Sequence, residues 1–216
     1  ELDICYYKAA AQYAGGDIEG ALATYQAMID YDGKNGNAYY LHGCLSLKQQ
    51  DTDTAKKDFA NAVKYNPDDY ELYVGIYENL AANNMTDEGE EYLNRAFDIK
   101  GNSAENLTWR GRIYYLLGQY ANAVKELEEA VKKDSAKANL YLAQVYEAEE
   151  DSANAEKYYQ AYVDSGTADS IAMNALAEIQ MGKGNYEAAL EDIRQGLAMD
   201  NVTNQQELLS NQIIAY

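Results

Sequence analysis

Apolar residues along this chain fall three and four positions apart in short runs, and each run ends in a polar or glycine-containing break before the next begins. Tyr39, Gly43 and Leu47 share one such helical face, Gln50 and Asp51 interrupt it, and Ala55, Phe59 and Ala62 open another. Pro67 then closes the second face, because proline lacks the N–H that a continuing helix needs. The pair of faces recurs along the chain. A small residue in the same local pattern stands at Ala21, Ala55, Gly89, Ala123, Ala155 and Ala189, at steps of 34, 34, 34, 32 and 34 residues. A period of this size marks a helical repeat array, in which each unit buries its apolar face only by stacking on its neighbours.

The pattern predicts paired helices over 3–14 and 17–30, 37–49 and 52–65, 70–82 and 86–99, 104–116 and 120–133, 136–149 and 152–164, and 170–182 and 186–199. These form repeats at about 2–35, 36–69, 70–103, 104–135, 136–169 and 170–203, within a single repeat domain spanning 1–216. The last stretch, 204–216, reads as one further helix carrying Leu208, Leu209, Ile213, Ile214 and Tyr216. Alternating apolar patterning is absent, so no β-sheet is expected and the fold class is all-α.

Small residues at Gly43, Gly111, Ala143 and Ala177 let the two helices of a repeat approach closely, and Ala55, Ala123, Ala155 and Ala189 do so at the next contact. Tyr25, Phe59, Leu127 and Tyr159 fill the space that remains. The fourth unit repeats the arrangement with Gly111, Tyr114, the turn Gly118-Gln119-Tyr120, Ala123, Leu127 and Ala130. In the third unit Gly89 takes the alanine slot, and in the fifth Tyr162 fills a slot that is usually small.

With these residues in view, the unit resembles the tetratricopeptide repeat, whose pattern runs W-x₂-L-G-x₂-Y…A-x₃-F…P. Tyr39 stands for the first aromatic, Gly43 for the glycine, Ala55 and Phe59 for the A-x₃-F pair, and Pro67 for the proline. His42 replaces the leucine and Ser46 the tyrosine. The resemblance runs over essentially the whole chain. It implies a right-handed superhelical solenoid of six tandem helix-turn-helix repeats plus a C-terminal helix, with the first helix of each pair lining a concave groove.

Charge then narrows the partner. The formal net charge is −19, which opposes binding to nucleic acid and docking on anionic lipid, since both rest on Lys and Arg. The acidity is uneven: residues 1–103 carry −10 and 136–216 carry −9, while 104–135 are neutral and hold Trp109, Arg110, Arg112 and Tyr115 within two helical turns. No run of 18 apolar residues is present, so no membrane-spanning helix is expected.

Little chemistry is visible. His42, the only histidine, falls in a packing slot and lacks the converging partners that acid–base work needs. No phosphate loop, HExxH or nucleophile elbow occurs. Cys5 and Cys44 match no zinc spacing and read as packing residues. Acidic groups at Asp51 with Asp53, at Glu88 with Glu90 and Glu91, and at Glu149-Glu150-Asp151 lack a calcium-loop pattern and read as solvated turns. Asp17, Asp51, Asp53 and Asp87 suit helix N-termini. No metal, no cofactor and no enzymatic activity are expected.

The 22 tyrosines divide. Tyr25, Tyr114, Tyr146 and Tyr159 occupy core slots. The groove that the resemblance implies would be lined by Tyr6, Tyr13, Tyr40, Cys44 and Glu78, and further along by Trp109, Arg112, Tyr115, Tyr141, Gln144, Glu147 and Glu178. Aromatic residues beside an arginine compose a binding hot spot, with tyrosine standing in for phenylalanine as the alternative explanation of the excess. Some members of the family hold a partner's C-terminal carboxylate with several Lys and Asn residues. Here the groove offers chiefly Arg112, with Lys48 and Lys137 nearby.

The expected function is a non-enzymatic scaffold that binds a peptide or protein segment in its groove. A carbohydrate- or cell-wall-binding accessory module of an exported bacterial protein is the alternative. The chain has neither an initiator Met nor a signal pattern at Glu1, which reads as a processed or trimmed fragment and leaves both an exported, cell-surface bacterial protein and a cytoplasmic adaptor open. The apolar 204–216 helix points to end-to-end self-association.

Overall fold

The computed structural model describes residues 2–216, and among these it holds thirteen α-helices and no strand. The helices fall into two compact units, one reaching Lys100 and the other running from Gly101 to Tyr216. The first unit contains α1 (Leu2–Ala14), α2 (Ile18–Tyr31), α3 (Gly36–Lys48), α4 (Thr52–Tyr65), α5 (Tyr70–Ala82) and α6 (Thr86–Ala96). The second contains α7 (Ala104–Leu116), α8 (Tyr120–Val131), α9 (Ala136–Ala148), α10 (Ser152–Asp164), α11 (Ser170–Gly182), α12 (Tyr186–Leu197) and α13 (Gln205–Ala215). In both units each odd-numbered helix packs on the even-numbered helix that follows it, apart from α13, which ends the series. The expected all-α repeat fold is what the chain adopts.

The turn inside each repeat is built the same way six times. A residue with positive φ stands at Gly16, Gln50, Asn84, Gly118, Glu150 and Gly184, with φ between 60° and 83°. The next residue sends its N–H back to a carbonyl five positions earlier, as from Asp17 to Gln12 at 2.8 Å and from Asp151 to Tyr146 at 2.8 Å. This is the left-handed closure that satisfies the last carbonyls of a helix. Glycine adopts it without strain, whereas Gln50, Asn84 and Glu150 hold it against their own Cβ. The residue that closes one helix also starts the next. Asp17, Asp51 and Asp151 cap their helices by accepting from the N–H of Gly20, Thr54 and Asn154. Asp53 and Asp87 sit in the first turns of α4 and α6, as their sequence positions imply.

Three second helices are shorter than their apolar patterns predict. α6 stops at Ala96, α8 at Val131 and α12 at Leu197, instead of near 99, 133 and 199. Beyond each end the backbone tightens into bonds three residues apart, as from Ile99 to Ala96 at 3.2 Å, from Lys133 to Ala130 at 3.0 Å and from Met199 to Gly196 at 3.4 Å. Ile99 is still buried, so the apolar period outlasts the α-helix.

Packing follows the small-and-large logic. A Cβ on Gly43 would lie 2.9 Å from Phe59 Cε1, and one on Gly111 would lie 2.4 Å from Leu127 Cγ. Tyr25, Phe59, Leu127 and Tyr159 are all buried. The slot where leucine was expected holds a polar clamp instead. His42 Nδ1 lies 2.6 Å from Asp58 Oδ2, and both side chains are nearly enclosed. Two repeats further on, Arg110 and Glu126 occupy the same two slots, with Nε 2.9 Å from Oε2. His42 therefore joins α3 to α4, in keeping with its reading as a packed residue.

On α13, Leu208 is fully buried among Ala177, Ala189 and Ile193 and covers Gly196. The opposite side of the helix is open, with Ile213 77% exposed, Ile214 68% and Tyr216 82%.

Candidate functional site

The first helices carry the residues singled out for binding, and the two units use them differently. In the first unit, Tyr6 donates its hydroxyl to Asn35 Oδ1 at 2.7 Å, and the same oxygen caps α3 by accepting from Ala38 N–H at 3.0 Å. Tyr40 crosses to α5, where Gly75 leaves room for its hydroxyl and Asn79 Nδ2 reaches it at 3.3 Å. A side chain at position 75 would begin 2.5 Å from that oxygen. Tyr6 and Tyr40 thus tie one repeat to the next. Burial holds the Tyr40 hydroxyl above its usual ionisation range and pushes the Cys44 thiol up to about 11, which disfavours its thiolate. Cys5 and Cys44 are both free thiols. Tyr13 is exposed, with Lys48 donating to its hydroxyl, and Glu78 is exposed.

The same unit holds a cavity of about 420 Å³ between α1 and α2, lined by residues such as Leu2, Cys5, Met28 and Tyr31. Its wall is mostly apolar, with few polar groups to orient a ligand.

The second unit gathers charge and aromatic surface. Trp109 is partly exposed, as is Arg112 one turn later on α7. The guanidinium carbon of Arg112 lies 5.4 Å from the Trp109 ring centre and 5.4 Å from that of Tyr141, and its Nη1 is 3.2 Å from the Tyr141 hydroxyl. Lys137 Nζ approaches Trp109 at 5.7 Å. Each such contact contributes about 0.5–1 kcal/mol at an exposed site. Tyr141 departs from expectation. It is only 6% exposed, because Arg112 lies across its ring and core residues such as Leu142 and Tyr162 share its cluster. It supports Arg112 and offers little surface of its own.

Beside this cluster lies a cavity of about 500 Å³ whose walls include Tyr115, Gln144, Glu147, Asn174, Glu178 and Glu207. Glu147 Oε2 accepts from the Tyr159 hydroxyl at 2.8 Å, and Glu178 Oε1 accepts from Asn174 and Asn211, each at 2.9 Å. Burial first, and the bond to Glu147 second, hold Tyr159 well above the usual range, so it remains a donor. Burial likewise raises the Tyr115 hydroxyl, which stays neutral at the cavity wall.

Sequence reasoning passed over Asn174 and Glu207. Asn174 sits one turn before Glu178 on α11, a spacing that could have marked it. Glu207 comes from the first turn of α13, outside the groove slots of the repeat. No three of the described His, Cys, Asp and Glu residues are placed to hold a metal ion. No helix among the described residues is long and apolar enough to cross a membrane.

Comparison with known proteins bears on the fold. Two tetratricopeptide repeat models match the chain, one over residues 110–170 and the other over 36–69 and 171–203, together more than half of its length. Human tetratricopeptide repeat protein 8 is 26% identical over 138 residues, or 62% of this chain, and the matched part spans 26% of that relative. Among solved structures, PilW, described as a widely conserved type IV pilus biogenesis factor, superposes with a TM-score of 0.61 at 20% identity, covering 96% of each chain. The human IFIT1 dimer with m7Gppp-AAAA superposes with a TM-score of 0.62 at 17% identity over 93% of this chain and 53% of its own. The helical pairs, their recurring turn and the two model matches agree: the chain belongs to the tetratricopeptide repeat family.

Proposed function

We propose that the chain is a non-enzymatic scaffold that holds a peptide or protein segment against the first helices of its second unit, with Trp109 as the anchor. The observation that carries this reading is Trp109 itself, partly exposed and approached by Lys137 and by Arg112, which Tyr141 in turn supports. A large aromatic held rigid beside an arginine loses little entropy when a partner covers it. Family membership supports an interaction scaffold, but the fold alone does not choose the ligand. IFIT1 shares the fold, and its dimer was solved with m7Gppp-AAAA, a chain of phosphate-linked nucleotides. A net charge of −19 opposes that class of ligand here, because polyanion binding needs Lys and Arg in number.

Selection of a displayed random-peptide library on the purified chain tests the reading. Enriched peptides should bind the native protein and lose affinity for Trp109→Ala. Enrichment that Trp109→Ala leaves untouched would overturn it. Raising the ionic strength separates the carbohydrate alternative, since binding to a charged groove weakens with salt and sugar stacking does not.

A second surface of the same unit supports self-association. Leu209, Ile213 and Ile214 on α13 and Tyr216 just beyond it are exposed apolar residues, and such surfaces tend to be covered by a partner. On this proposal a second copy of the chain covers it. Sedimentation should then show concentration-dependent association that is lost on changing Ile213 and Ile214 to Glu. Monomeric behaviour of both proteins at all concentrations would sink the idea.

A further inference from the structure

Two slots of the repeat hold a basic residue against an acidic one in the second and fourth repeats, His42 with Asp58 and Arg110 with Glu126. In the first repeat, 34 residues before His42 and Asp58, the same slots hold Lys8 on α1 and Thr24 on α2. The base is kept and the acid is gone. Thr24 instead donates its hydroxyl to Gln12 Oε1 at 2.7 Å. Among the described residues Lys8 has neither an ion pair nor a hydrogen bond, and Gln12 Nε2 has no acceptor.

A second pair of slots changes with the first. In the second repeat Tyr39 and Tyr65 stack with ring centres 5.9 Å apart. One repeat earlier these positions are Cys5 and Tyr31, so no second ring meets Tyr31, which is 74% exposed. Lys57 and Asn61 likewise become Ala23 and Ala27. The smaller groups line the cavity of about 420 Å³ between α1 and α2. That volume falls within the roughly 300–1,000 Å³ of small-molecule sites, and the wall is mostly apolar. Lys8 is the one charged residue of the lining, and Gln12 follows it one turn later on the same side of α1.

We propose that this cavity binds an amphiphilic carboxylate, a medium-chain fatty acid, with its carboxylate on Lys8 and Gln12 and its alkyl chain against Cys5, Ala23, Ala27 and Met28. The ligand supplies the acid that Asp58 and Glu126 supply in their own repeats. Burial of the alkyl chain provides most of the affinity, and the charge-assisted bond to Lys8 selects the sign of the head group. A net charge of −19 favours cations over the surface as a whole, so a preference for an anion reports this cavity.

Decanoate and decyltrimethylammonium carry the same alkyl chain under head groups of opposite sign. Each is titrated by calorimetry into the full chain below its micelle concentration, with circular dichroism confirming that every variant is folded. Decanoate should bind at least about tenfold more tightly than the cation, a preference worth about 1.4 kcal/mol. It should also protect Cys5 from iodoacetamide, read by peptide mass mapping, and leave the labelling of Cys44 unchanged. Lys8→Met removes the charge from an exposed side chain and keeps an apolar stem. It should weaken decanoate about tenfold and should not weaken the cation. Thr24→Asp rebuilds the clamp of the other repeats and should weaken decanoate in the same way, whereas Trp109→Ala should have no effect. Failure of decanoate to bind, equal or tighter binding of the cation, or decanoate binding that survives Lys8→Met intact would overturn the proposal. Dependence on Trp109 would place the ligand in the second unit and overturn it as well. The comparison of the two probes on the native protein needs no variant to fold.

Discussion

Phe59→Ala is expected to lower the unfolding free energy of the unit ending at Lys100 by about 3–5 kcal/mol, as for other buried phenylalanines cut to alanine. The side chain is fully buried on α4. Its ring fills the space left by Gly43 on α3, with the Tyr40 ring 6.3 Å away and the Tyr92 ring 6.5 Å away, edge-on. It therefore joins both helices of its own repeat to the repeat that follows. Gly43 has no side chain with which to fill the vacated volume, and Tyr40 is held towards Gly75 and Asn79. The space would persist as a cavity. Domain stabilities are only about 5–15 kcal/mol, so the loss is a large fraction of the whole. Urea unfolding followed by circular dichroism should show an early transition that is absent from the native protein. A shift below about 1 kcal/mol would mean that the repeat stack does not depend on this contact.

Trp109→Ala is expected to weaken partner binding by about 2–4 kcal/mol, roughly 30- to 1,000-fold, while changing folding stability by about 1 kcal/mol or less. The separation follows from its position. Trp109 contributes its ring to a partly open surface and not to the packed interior, where Ile113, Leu127 and Leu142 carry the burial. Its removal also takes away the surface against which Arg112 and Lys137 rest. Arg112→Ala should cost less than Trp109→Ala, because it removes a clamp and leaves the anchor. Isothermal titration of a library-selected peptide into both variants measures this directly. Equal affinities for native protein and Trp109→Ala would remove the anchor from the account.

Much of the fold was legible because a repeat states its own logic six times. The recurring small residue, the Gly43–Phe59 complement and the polar breaks each appear in several copies, so one weak unit does not hide the period. Gly16, Gly118 and Gly184 mark their left-handed turns openly. Gln50, Asn84 and Glu150 occupy the same slot with no residue-type signal, and only the register finds them. The clamp of His42 on Asp58 was hidden for a related reason, since a polar pair occupies positions where the repeat averages to apolar.

The site was less legible. Trp109, Arg112 and Tyr115 sit on partly exposed helix surface, as their spacing suggested. Tyr6, Tyr40 and Tyr141 share that spacing, yet their rings and hydroxyls are engaged by Asn35, Asn79 and Arg112. A periodic pattern reports which face a residue occupies, not which neighbour claims its polar end. Glu207 reaches the cavity from a helix outside the six pairs, so no repeat slot predicts it.

The claim that a partner lies on the first helices of the second unit has one built-in reporter, since Trp109 is the only tryptophan in the chain. A library-selected peptide without tryptophan can be titrated into the native protein while indole emission is recorded. The account predicts a saturable change in emission wavelength and intensity as Trp109 is covered, with the midpoint at the dissociation constant measured by calorimetry. Tight binding by calorimetry with no change in the emission of Trp109 would contradict it.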